Sequence, residues 1–116
     1  MLAIVLVIFV SMIHALIAIV EMCFWHLPKV HSRLGFDAET AKQVAPIVAN
    51  AGLYNGFIAA GLLFGLSSWG NPHTILFFLS CVIVAGVYGA FTLKPTTLVL
   101  QTLPGLLALS AVWMSK

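Results

Sequence analysis

Residues Leu2 to Val20 contain only two polar side chains, Ser11 and His14. A helix needs about 20 mostly apolar residues to cross a bilayer. Four segments approach that length: roughly 2–25, 44–66, 73–92 and 95–113. Together they use nearly the whole chain, so no room is left for a soluble domain. Of the 116 residues, 62% are hydrophobic and 7% charged. A soluble domain is closer to half apolar and a quarter charged. The expected fold class is all-α, a single four-transmembrane-helix bundle over residues 1–116, held in membrane lipid.

The charges give this bundle a direction. Lys29, Arg33 and Lys42 lie between the first two spans and Lys94 between the last two, while Lys116 falls on the other side. Basic loops stay in the cytoplasm. Both connecting loops are therefore expected to be cytoplasmic and both termini extracytoplasmic, in a multi-pass protein of a bacterial cytoplasmic membrane. No basic stretch precedes the first apolar run, and no clean small-x-small cleavage site follows it, so that run reads as a permanent span rather than a signal peptide. The net charge of +2 gives no reason to expect a nucleic-acid partner. Cys23 and Cys81 fall at different depths and read as small buried hydrophobes, not as a bridge. No metal-ligand spacing and no cofactor motif is present, so neither group is expected.

The longest loop runs from His26 to Asp37. Pro28 should end the first helix, and His26 and His31 are expected to be solvated. Asp37 is suited to cap a helix whose first turn carries Glu39. That helix either runs straight into the second span, kinked by Pro46, or breaks before it. The second span repeats small residues: Gly52-xxx-Gly56-xxx-Ala60 and Gly61-xxx-Gly65. Such repeats let helix backbones approach closely, within the chain or in a homodimer. Ser67 to Pro72 forms an outer turn and Lys94-Pro95 an inner one. Trp69 and Trp113 suit the membrane interface. Pro104-Gly105 should bend or break the last helix and free the Leu100 carbonyl.

One acid stands inside the first span. Glu21 costs a few kcal/mol at that depth and marks a proton, ion, ligand or polar partner. At about 1.5 Å rise per residue, Glu21 and Asn50 lie about 6 Å below the cytoplasmic boundary, as does Tyr88. Gln101 lies about 9 Å down, Asn55 about 14 Å and His14 about 16 Å. The strongly polar side chains thus gather in the cytoplasmic half or near the midplane. His14 and Glu21 are seven residues apart and lie on one stripe. Asn50 and Tyr54 share a face of the second span, opposite Gly52 and Gly56. Buried polar groups in lipid must satisfy one another. The economical arrangement is a cytoplasm-facing pocket of Glu21, Asn50, Tyr54, Asn55, Tyr88 and Gln101, with His14 at its deep end. The same neighbours would serve equally as structural glue.

The run Asn50-Ala-Gly-Leu-Tyr-Asn-Gly-Phe-Ile-Ala-Ala-Gly-Leu62, with His14, Glu21 and Trp25 upstream, resembles the DUF1304 family of small bacterial membrane proteins. The resemblance covers nearly the whole chain and implies four transmembrane helices. It carries no established activity. Many members have Gln after the first Asn, where this chain has Ala51, so no role for a Gln at that point transfers.

Three classes of function fit these residues. The first is binding or transport of a small molecule or ion through the pocket around Glu21. The second is a membrane enzyme acting on a lipid or quinone-like substrate, with His14 and Glu21 as acid and base and Tyr54 or Tyr88 as proton donor. His14 and Glu21 are about 10 Å apart along the helix, so they would have to act at two ends of a substrate. No nucleophile–base pair is present, which disfavours catalysis. The third is a non-catalytic helper that binds a partner through its glycine faces.

Overall fold

A computed structural model describes residues 1–116. The chain is helical throughout, with no strands. Helix α1 spans Leu2–Cys23, and a short α2 (Pro28–His31) runs on into a 3-10 turn, Ser32–Leu34. Helix α3 covers Ala38–Leu66, α4 Pro72–Thr92 and α5 Leu103–Met114, the last preceded by a π-helical turn at Leu98–Thr102. Three of these helices, α1, α3 and α4, are long and apolar enough to cross a membrane. The fourth apolar stretch is helical from Leu98 to Met114, shorter than the other three.

The four long elements pack in a ring: α1 against α3, α3 against α4, α4 against α5, and α5 back against α1. Its core is Val7 and Val10 of α1, Leu62 of α3, Leu79 and Val82 of α4, and Ala108 of α5. Only 21 of 116 residues are buried. The outside is therefore apolar: Phe9, Phe57, Phe64, Phe77, Phe91 and Leu107 are all more than half exposed. Apolar surface on that scale calls for lipid or a partner to cover it.

Local chemistry sets the helix ends. Gly35 terminates the 3-10 turn at φ 80°, the left-handed conformation that glycine adopts without a Cβ penalty. Asn71 caps α4 by accepting from the Thr74 amide at 3.1 Å, with Pro72 at the first helical position, where its missing N–H costs nothing. Asp37 caps α3 by accepting from the Thr40 amide at 2.7 Å. That bond holds the Asp37 carboxyl below the usual carboxylate range. A carboxyl lowered in the fold adds stability that is complete above its unfolded value of about 3.9 and lost as pH falls through the folded one. The Thr40 amide resonance should therefore hold its capped shift down to pH 4 and move only below it. In Asp37→Ala that resonance should sit at its uncapped position at every pH.

Both prolines inside helices are absorbed. Pro46 lies within α3, which stays continuous over 29 residues. Ahead of the Pro104-Gly105 pair, where a bend or break is expected, the backbone leaves α-helical register for the π-turn. The Leu103 amide reaches back five residues to the Leu98 carbonyl. A π-turn of this kind lets a helix accept a residue that cannot donate. Thr97 and Thr102 then tie the turn to α4, donating to the carbonyls of Gly86 (2.8 Å) and Ile83 (3.4 Å).

At one end of the bundle the segment between α1 and α3 folds back on itself. Trp25 is buried, edge-on to the rings of His31 and Phe36, and its indole N–H donates to the Ala41 carbonyl at 2.9 Å. His31, expected in solvent, is 5% exposed, because its Nδ1 is engaged by the Phe36 carbonyl at 3.0 Å. His26 does remain exposed. Lys94 donates to the Arg33 carbonyl at 2.6 Å, joining the two loops on the same end of the molecule.

Candidate functional site

A close approach of α1 and α3 builds the site. A Cβ at Gly52 would lie 2.9 Å from Met22 Cγ, 3.0 Å from Glu21 Cβ and 3.2 Å from the Ala18 carbonyl oxygen. Only glycine admits α1 this closely. Asn55 is three residues further along the same face of α3, so it is carried into the same contact. His14 and Glu21 flank it from α1, two turns apart.

The Asn55 carboxamide bridges them. Its Nδ2 donates to Glu21 Oε1 at 3.0 Å and to the Ala51 carbonyl at 3.1 Å. Those two acceptors identify the nitrogen, so the other amide atom is the oxygen. Asn55 Oδ1 accepts from His14 Nδ1 at 2.8 Å. In a neutral imidazole the second nitrogen is then an acceptor. His14 is 2% exposed, and its Nε2 is buried with no hydrogen-bond partner. Glu21 is partly buried, and its second carboxylate oxygen accepts no hydrogen bond within the chain.

Glu21 also faces open space. A pocket of about 700 Å³ lies between the end of α1, the α2 turn and the first half of α3. Its walls include Glu21, Trp25, His31, Lys42, Ala45 and Ala49. Its volume falls within the usual range for small-molecule sites, about 300–1,000 Å³, and its lining is largely apolar with a few polar groups. Because a carbonyl only accepts, the bond from His31 Nδ1 to Phe36 leaves His31 Nε2 as an acceptor in the neutral ring. The pocket thus offers the Glu21 carboxyl, the imidazoles of His26 and His31, and one ammonium, that of Lys42.

Of the seven residues named from the sequence, the structure brings together His14, Glu21 and Asn55. The other four stand apart. Asn50 is exposed on the far side of α3, about 200° round from Gly52. Tyr54 is 61% exposed and packs edge-on to Phe57. Tyr88 is 70% exposed on α4, which packs on α3 and α5. Gln101 is partly buried in the π-turn beside Gly86. All four match Glu21 roughly in depth, but their faces point elsewhere. The small residues divide likewise. Gly52 meets α1, while Gly61 and Gly65 receive Phe78 and Ile75 of α4. Gly56 has only the Ala18 methyl near it, at 3.8 Å. Trp25, His31 and Lys42 also line the pocket, and none of the three was placed in it from the sequence.

Fold and site together define an all-helical chain with membrane-length apolar helices and one polar bridge between its first two long helices. Residues 8–113 match the family described as "Protein of unknown function (DUF1304)", and the chain belongs to that family. No curated protein and no solved structure matches it.

Proposed function

We propose that this chain is a multi-pass protein of a bacterial cytoplasmic membrane that binds a small molecule through a cationic or hydrogen-bond-donating group at Glu21. One observation carries the reading. The Glu21 carboxylate is fixed by Asn55 on one oxygen and lies on the wall of a pocket of about 700 Å³. Purely structural glue would spend the carboxylate on protein partners. Here half of it is left toward the cavity.

In this reading α5 with its π-turn completes a fourth crossing, about 26 Å long at 1.5 Å per residue. Lys29, Arg33, Lys42 and Lys94 gather at the pocket end of the bundle, and basic residues favour the cytoplasm. The pocket then opens to the cytoplasm, with both termini on the opposite side. Transport would be an extension of binding; the pocket lining comes from α1, α3 and the segment between them. The enzyme reading draws less support, because His14 is not among the pocket residues.

Octylammonium, titrated calorimetrically into the protein in lipid nanodiscs, tests the proposal. Binding is expected to saturate at one site. Glu21→Gln should weaken it at least tenfold, since a hydrogen bond to a charged group contributes roughly 1.5–3 kcal/mol. Equal affinity in wild type and Glu21→Gln would overturn the reading.

A further inference from the structure

The pocket holds an acid and a base, Glu21 and Lys42, that cannot meet. Glu21 lies level with Gly52, as the 3.0 Å approach of a Gly52 Cβ to Glu21 Cβ shows. Lys42 lines the same pocket ten residues earlier on α3. At about 1.5 Å per residue, the two positions are about 15 Å apart along the helix. Helical side chains lean toward their own N-terminus. Helices α1 and α3 run antiparallel, so these two lean apart. The rest of the wall is mostly apolar, with Met22, Trp25, Ala45, Pro46 and Ala49, together with the imidazoles of His26 and His31. The alanines leave a smooth channel along α3, and Trp25 is held in place by its bond to the Ala41 carbonyl.

This layout specifies a ligand shape. We propose that the pocket takes an elongated zwitterion, with an ammonium group at Glu21, an apolar body along the alanine face of α3, and an acidic group at Lys42 near the mouth. The inference rests on the reading of Glu21 as the amine-binding group and adds the far end and the length. A short zwitterion such as an α-amino acid can satisfy one charge at a time. A molecule with its charges about 15 Å apart satisfies both and covers the mostly apolar wall between them. Fixing both ends costs less when the body already lies along a surface that fits it.

Three probes separate the parts of this proposal. 12-Aminododecanoic acid, extended, places its charged ends about 15 Å apart. 12-Aminododecanamide has the same length and amine but an uncharged far end. 4-Aminobutanoic acid has both charges and is too short. Each is titrated calorimetrically into the protein in nanodiscs, in wild type, Glu21→Gln, Lys42→Ala and Lys42→Arg. The long acid should bind wild type about three- to fivefold more tightly than its amide, the size of a good exposed ion pair. That preference should vanish in Lys42→Ala and persist in Lys42→Arg. The short zwitterion should bind at least tenfold more weakly than the long one. Equal binding of acid and amide in wild type, both weakened by Glu21→Gln, would overturn the zwitterion and leave the amine site standing. A short zwitterion as tight as the long one would overturn the length. Binding of every probe unchanged in Glu21→Gln would overturn the amine site itself, and the zwitterion with it.

Discussion

Asn55→Leu is expected to be the most damaging single polar substitution in the chain. Leucine keeps asparagine's branching and number of side-chain heavy atoms, so no cavity is left and the loss is chiefly one of hydrogen bonds. It strips the acceptor from His14 Nδ1 and the donor from Glu21 Oε1 together. His14 is 2% exposed and already has one orphaned nitrogen, so no solvent can replace the lost partner. An unsatisfied buried group costs about 1–3 kcal/mol, a penalty that falls on His14, while Glu21 faces the pocket and can be solvated there. Partners found elsewhere in a membrane-inserted unfolded state reduce such penalties, which places the expected loss at the lower end. The measurement is the midpoint of denaturation in mixed micelles. His14→Leu with Asn55→Leu together should recover part of the loss, because the double variant removes the orphaned ring along with its partner. A double variant no more stable than Asn55→Leu would show that the His14 contact contributes nothing.

The bridge shows where a sequence stops being legible. Depth was readable, because each residue of a helix advances it by a fixed rise. That arithmetic put Glu21, His14 and Asn55 in the same half of the bundle or near its middle. Azimuth was not readable. In a soluble helix the apolar stripe points to the core and fixes the phase. In α3 the outward face is as apolar as the inward one: Leu53, Phe57 and Phe64 are exposed. Asn50, Tyr54, Tyr88 and Gln101 therefore matched Glu21 in depth without any cue that they face elsewhere. The glycines held the missing phase. Gly52 marks the face that meets α1, and Asn55 sits on that face while Asn50 does not. The three longest helices were legible from the lengths of their apolar runs, and Asp37 from its spacing to the helix it caps. The knot of Trp25, His31 and Phe36 was not, since it forms in a fold-back with no period to read. Nor was the π-turn, which arises from the way Pro104 and the two threonines meet α4.

Gly86→Ala should destabilise the bundle more than any other glycine-to-alanine change within its packed helices. A Cβ there would strike Thr102 Oγ1, and would lie 2.7 Å from the Thr102 backbone nitrogen and 3.0 Å from Gln101 Cβ. A threonine side chain can rotate away. The backbone nitrogen cannot, because it belongs to the π-turn that absorbs Pro104. Relief requires α5 to move off α4, which also stretches the bonds from Thr97 and Thr102 to the α4 carbonyls. Overpacking of this kind costs about 1–3 kcal/mol. Gly56→Ala is the matched control. Gly56 sits in the middle of the small-xxx-small repeat, yet a Cβ there meets only the Ala18 methyl at 3.8 Å, an ordinary contact. Alanine is better than glycine in a helix interior by about 0.5–1 kcal/mol, so this variant should be neutral or slightly more stable. The two variants add the same methyl to the same kind of residue, so propensity cancels between them. Their difference in denaturation midpoint reads the close approach alone. Equal midpoints would mean that α4 and the π-turn do not pack as closely as the Gly86 geometry requires.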